Sequence, residues 1–126
     1  MSGEINTVNY NYVEIFVNSR FQKSISLTVA QGTDKISKGT TLGIVTDTGY
    51  AAPYNATHSD GTETAVCIAG TDIDASSTGQ NRNVDSWGYT HGCFNLTTLQ
   101  GLGLDNKAIS DMHGRLIPGM NEVDFT

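Results

Sequence analysis

Ser24-Ile25-Ser26-Leu27-Thr28-Val29 alternates polar and apolar side chains with a period of two, the pattern of a strand with one buried face. The residues after it decide the fold. Gln31-Gly32-Thr33-Asp34 breaks the strand, Lys38-Gly39 marks a second turn, and Thr40-Thr41-Leu42-Gly43-Ile44-Val45-Thr46 is extended again. Asp47-Thr48-Gly49 then reverses the chain into Tyr50-Ala51-Ala52-Pro53-Tyr54, a hairpin with a glycine-containing loop. Pro53 has no N–H to give a ladder, so this second arm is expected at an edge or a strand end. Short strands parted by Gly, Asp and Thr turns point to a β domain.

Downstream, residues 55–62 form a polar loop with Asp60-Gly61 as its turn, and Thr64-Ala65-Val66-Cys67-Ile68-Ala69 reads as a buried strand. Residues 76–83 lack periodicity and are expected as a solvated loop; residues 84–92 resume an extended pattern with Trp87, Tyr89 and His91 on one face. Helix is scarce. Residues 95–99 suit one turn, and residues 105–112 a second, with Asp105 as N-cap and Gly114 as its end. Arg115-Leu116-Ile117-Pro118 is expected as the last strand, and residues 119–126 as a tail.

Upstream, residues 1–11 are polar and rich in Asn, while Tyr12-Val13-Glu14-Ile15-Phe16-Val17 is aromatic and β-branched, which suits an extended strand. Residues 18–23 make no tight turn to a neighbouring strand. Two readings stand: the first strand of the domain's own sheet, or an arm that pairs with a partner's sheet edge.

The composition narrows the function. The chain has 126 residues, enough for one domain, with 13 acidic and 7 basic side chains and a net charge of −6. Seven scattered cations give no footprint for nucleic acid. No apolar run approaches the roughly 18 residues of a membrane span, and no charged-then-apolar leader opens the chain. Cys67 and Cys93 are therefore expected as reduced thiols, buried as small hydrophobes rather than joined. His91-Gly92-Cys93 places two potential ligands on one strand face, but zinc sites need a second pair, so no metal or cofactor is expected. No Gly-x-Ser-x-Gly elbow occurs, and Cys93 with a distant His is a weak nucleophile signature. Asp72 and Asp74 suit a polar turn better than acid–base work or calcium, and Lys38-Gly39-Thr40 lacks the upstream glycine of a phosphate loop. No catalytic residue is assigned. Tyr50, Tyr54, Trp87 and Tyr89 flank turns, where they fill a small core or a subunit interface, or else offer a sugar platform.

Order and spacing together carry a resemblance. Leu27-Thr28-Val29-Ala30-Gln31-Gly32 is followed by Lys38-Gly39-Thr40-Thr41-Leu42-Gly43, then Thr48-Gly49-Tyr50 and Pro53-Tyr54. Ser59-Asp60-Gly61-Thr62-Glu63-Thr64-Ala65, Ile68-Ala69 and Asp72-Ile73-Asp74-Ala75 come next. This run resembles the head decoration proteins of tailed bacteriophages, the lambda protein D type, with looser likeness through residue 118. The family implies a mainly β, single-domain fold of the β-tulip or barrel-like kind, with one or two short helices and an extended N-terminal arm. It implies a non-enzymatic homotrimer on three-fold and quasi-three-fold sites outside the expanded head, binding the major capsid protein and stabilising the shell against DNA pressure.

On that resemblance, residues 1–23 are the capsid-binding arm, 24–118 the decoration domain and 119–126 the C-terminal tail. The arm's contacts fall to Val8, Tyr10, Tyr12, Val13, Ile15 and Phe16. No nucleic acid, membrane or cofactor is expected as a partner, and the location is the virion's outer surface. The residues do not assign a trimer seam. The alternative is a small β-sandwich carbohydrate-binding module of a phage structural protein; a hydrolase using Cys93 is the remaining one.

Overall fold

The structure is a computed structural model, and it describes residues 15–125. Val8, Tyr10, Tyr12 and Val13 therefore lie outside the described residues. The elements in chain order are β1 (Phe16–Val29), β2 (Thr41–Ile44), β3 (Ala51–Pro53), β4 (Cys67–Ala69), β5 (Val84–Asn95), α1 (Leu96–Gln100), α2 (Asn106–Asp111), β6 (Arg115–Leu116) and β7 (Glu122–Asp124). The fold is mainly β with two short helices, as the turn-and-strand pattern predicts.

All seven strands belong to one sheet, in the order β1-β3-β2-β4-β5-β7-β6, with a further pairing between β1 and β5. That pairing closes a circuit of five strands, so the sheet curls into a barrel-like form with β7 and β6 extending from it. The closing seam is narrow: β1 meets β3 in parallel through Val29 and Ala51. The β1–β5 ribbon is long, running antiparallel from Val29 opposite Val84 to Phe16 opposite Phe94. Leu27 and Val29 are buried while Ser24 and Ser26 are exposed, so the expected period-two alternation holds over 26–29, whereas Ile25 on the apolar face is exposed.

Two corrections concern the chain's ends. The strand read as Ser24–Val29 begins at Phe16, so the boundary drawn at residues 23 and 24 falls inside β1. Between Asn18 (opposite Cys93) and Lys23 (opposite His91), β1 advances five residues while β5 advances two. These are bulges, and extra unpaired residues destroy the two-residue period by which a strand is recognised. The expected tail is also structural. Within it, β7 pairs with both β5 and β6, and Val123 and Phe125 are fully buried. Glu122-Val123-Asp124-Phe125 does alternate, but over too few residues to stand out.

Two apolar clusters fill the molecule. One gathers Leu27, Val29, Leu42, Ala51, Cys67 and Val84 from the five circuit strands, with Ile36 and Ile73 from the loops. Ile36 and Ile73 form a two-way backbone bridge, with N–H to O distances of 2.7 and 2.8 Å. The second cluster packs Ile15, Ile68, Phe94, Val123 and Phe125 against Leu99 of α1 and Ala108 and Ile109 of α2. Both helices are capped, the second by Asp105 as expected. Asn95 accepts from the Thr98 N–H, and Asp105 from the Ala108 N–H.

Candidate functional site

The residues that carry the family-like pattern hold turns in place. Asp60 Oδ1 accepts from both the N–H and the hydroxyl of Thr62, at 3.0 and 2.6 Å, and Thr62 is almost wholly buried. Those bonds hold the Asp60 carboxyl below its ordinary range. Gly61 sits at φ +111°, so close to the Ile44 carbonyl that no side chain fits. Gly43 is pressed in turn by Thr62 and Thr64, which lays the 55–65 loop across β2.

The acidic pair works similarly. Asp72 Oδ1 accepts from the Lys38 N–H at 2.8 Å, and Asp74 Oδ1 accepts from the N–H and hydroxyl of Ser76. The Ser76 bonds lower the Asp74 carboxyl. Gly79 closes directly over that carboxylate, and Ile73 and Ala75 between and after the two aspartates are buried. These aspartates are staples of polar loops.

Cys67 and Cys93 are free thiols. Cys67 is fully buried, and burial pushes it up to about 12. Cys93 is half-buried, its Sγ donating to Glu122 Oε1 at 3.7 Å. Its thiol is raised first by burial and then by the Glu122 and Asp124 carboxylates. A nucleophile needs the opposite, a stabilised thiolate beside a cation. His91 Nδ1 bonds the Thr90 hydroxyl at 2.9 Å. Among the described residues, no three His, Cys, Asp or Glu side chains gather as metal ligands.

The four aromatics divide. Tyr54 is buried, donating its hydroxyl to Asp105 at 2.8 Å, and burial with that carboxylate raises its phenol. Tyr89 lies edge-on to Trp87 at 4.9 Å and to Phe94 at 6.1 Å. Tyr50 accepts from Asn83 Nδ2. Trp87 is 38% exposed, its indole seated on the bare backbone of Gly70. Beside it runs a shallow groove of about 640 Å³ lined by Ser26, Thr28, Asp85 and Ser86, with Thr28 bonded to Asp85 at 2.9 Å. A sugar platform would belong there.

Ile15 and Phe16 are the two expected arm residues that the structure places. Ile15 is fully buried, its carbonyl accepting from the Asn95 N–H at 2.7 Å, and it packs against Gly39. Phe16 opens β1 opposite Phe94. Ile15 is thus a root in the domain's own core. Sequence reading missed Ile25, Leu116 and Met120, which are large apolar side chains left exposed. The available signal for the last two was the run Leu116-Ile117-Pro118-Gly119-Met120, uncharged and apolar where a strand end and tail were expected.

No curated protein matches the chain. A family model, bacteriophage lambda head decoration protein D, matches residues 20–87, from the bulged half of β1 to Trp87. That span is more than half of the chain and contains the glycine–aspartate turns at Asp60-Gly61 and around Asp74, so this protein belongs to the phage lambda head decoration protein D family.

Proposed function

We propose that this protein binds the outside of the expanded phage head as a homotrimer, at three-fold and quasi-three-fold positions, and braces the shell against the pressure of packaged DNA. On this reading the curled sheet with two helices at one end is a β-tulip, the partner is the major capsid protein, and no reaction is catalysed. The raised Cys93 thiol supports the last point.

The root at Ile15 carries the proposal. Fourteen residues precede this buried anchor, among them Val8, Tyr10, Tyr12 and Val13. Extended, such a segment reaches about 45–50 Å, enough to lie along a neighbouring subunit. Its backbone can add a strand to an exposed sheet edge while alternate side chains enter pockets. Ordering it costs about 1–2 kcal/mol per residue, so a lone arm binds weakly. Three arms on one trimer offset that cost through effective concentration.

Expanded heads from the phage that encodes the chain test this directly. The full chain is expected to sediment with heads, and a chain lacking residues 1–14 to remain folded in the supernatant. Equal binding by the shortened chain would remove the arm from the proposal. A monomer in sedimentation equilibrium at micromolar concentration would remove the trimer.

A further inference from the structure

The β6–β7 hairpin ends in a turn whose shape is set by its sequence. The Met120 N–H bonds the Ile117 carbonyl at 3.1 Å, with Pro118 and Gly119 between them and Gly119 at φ +75°. Pro followed by a left-handed Gly is the chemistry of a type II turn, which is stiff before it meets anything. Leu116 is 49% and Met120 56% exposed, and from Leu116 to Asn121 the hairpin carries no charge. Its base is clamped: Asn121 Oδ1 accepts from the Thr97 N–H and hydroxyl, Asn121 Nδ2 donates to Asn95 Oδ1, and the Asn121 carbonyl accepts from the Leu96 N–H. A rigidly mounted apolar tip left in water is characteristic of an interaction site.

Its place in the sheet names the occupant. Asn95, the last residue of β5, takes Ile15 on one edge and Glu122 on the other. β1 runs antiparallel to β5, so Ile15 and the start of β1 stand at that end of β5. β7 begins opposite Asn95 and is likewise antiparallel to β5, so residues 117–121 project from the same end. The arm root and the apolar turn are separated across the sheet by two to three strand spacings, about 10–14 Å. Any surface gripped by residues 1–14 close to their root also faces the tip.

We infer that the Leu116–Met120 turn is a second contact with the shell protein of the head, seated in an apolar socket beside the strand edge that receives the N-terminal segment. The inference rests on head binding through the arm, as proposed for this protein. The turn lies outside the family-matched residues 20–87. Because the tip is uncharged, its contribution is insensitive to salt.

The test uses purified expanded heads, the full chain and the double variant Leu116→Ser with Met120→Ser. Both side chains are exposed, so the variant keeps the unaltered chain's thermal midpoint and oligomeric state. Expected is a loss of head affinity of about tenfold or more, the same at about 50 mM as at about 500 mM salt. A photo-crosslinking residue at position 120 is expected to join the shell protein. Unchanged affinity of the variant, while the unaltered chain binds, would overturn the hairpin contact and leave the arm standing. Crosslinking of position 120 to another copy of this chain, or to its own residues 1–14, would overturn it too. Failure of the unaltered chain to bind heads would overturn both readings together.

Discussion

Gly61 and Gly49 both take positive φ, yet they differ in what surrounds them. A Cβ on Gly61 would press into the Ile44 carbonyl and Thr46, whereas a Cβ on Gly49 meets nothing within 4 Å. Gly49→Ala therefore costs the left-handed backbone term alone, about 1 kcal/mol, and Gly61→Ala about 2–4 kcal/mol. Urea midpoints for the two variants measure the difference, and equal losses would contradict the close approach. Titration adds a second expectation. The Asp60 and Asp74 carboxylates are depressed, so their stabilisation is present above the unfolded value of about 3.9 and is lost as pH falls through the lower folded values. Cys67, Cys93, Tyr54 and Tyr89 are raised, so theirs is present below the unfolded values of about 8.5 and 10 and is lost as pH rises toward the folded ones. Calorimetric midpoints should be flat between about pH 5 and 8 and fall on both sides. A midpoint still climbing above about pH 9 would count against the neutral burial of these groups.

β7 is the element whose weight most exceeds its length. Three residues long, it joins β5 to β6 and delivers Val123 and Phe125 to the cluster under the helices. Phe125 lies tilted against Phe94, ring centroids 5.7 Å apart, and Gly114 is bare because the Phe125 ring lies on it. Each of these side chains contributes roughly 1.5–3 kcal/mol on burial, against a total stability of about 5–15 kcal/mol. A chain ending at Pro118 is expected to lose its cooperative thermal transition, read by circular dichroism; a sharp transition near the full chain's would show that the segment is dispensable. Other elements were legible beforehand. Asp105 as an N-cap, the Asp47–Gly49 reversal and the Leu27–Val29 alternation all depend on near neighbours, and all are as expected. The bulged half of β1 was not legible, because its pairing is with residues about 75 positions away, such as Asn18 with Cys93.

At the scale of the whole molecule, Ile15 is buried in the core, and on the proposed reading the boundary between domain and arm lies there. Removing residues 1–14 is expected to shift the thermal midpoint by no more than about 2 °C. Removing residues 1–23 takes Ile15 from the core and half of the ribbon that closes the barrel, and is expected to cost several degrees or cooperative folding itself. Similar midpoints for the two shortened chains would return the boundary to residue 23. The net charge of −6 argues against nucleic acid as a partner, and on the proposed reading it keeps free trimers apart from one another in solution. By itself the sequence determined the β class, the turns, the Asp105 helix cap and the family, because each is written in residues close to one another along the chain. Only the tertiary structure decided that β1 and β5 close the sheet, that the expected tail contains a strand, and that Ile15 and the apolar turn share one end. Those facts depend on pairing between separate strands, about which the periodicity within one strand carries no information.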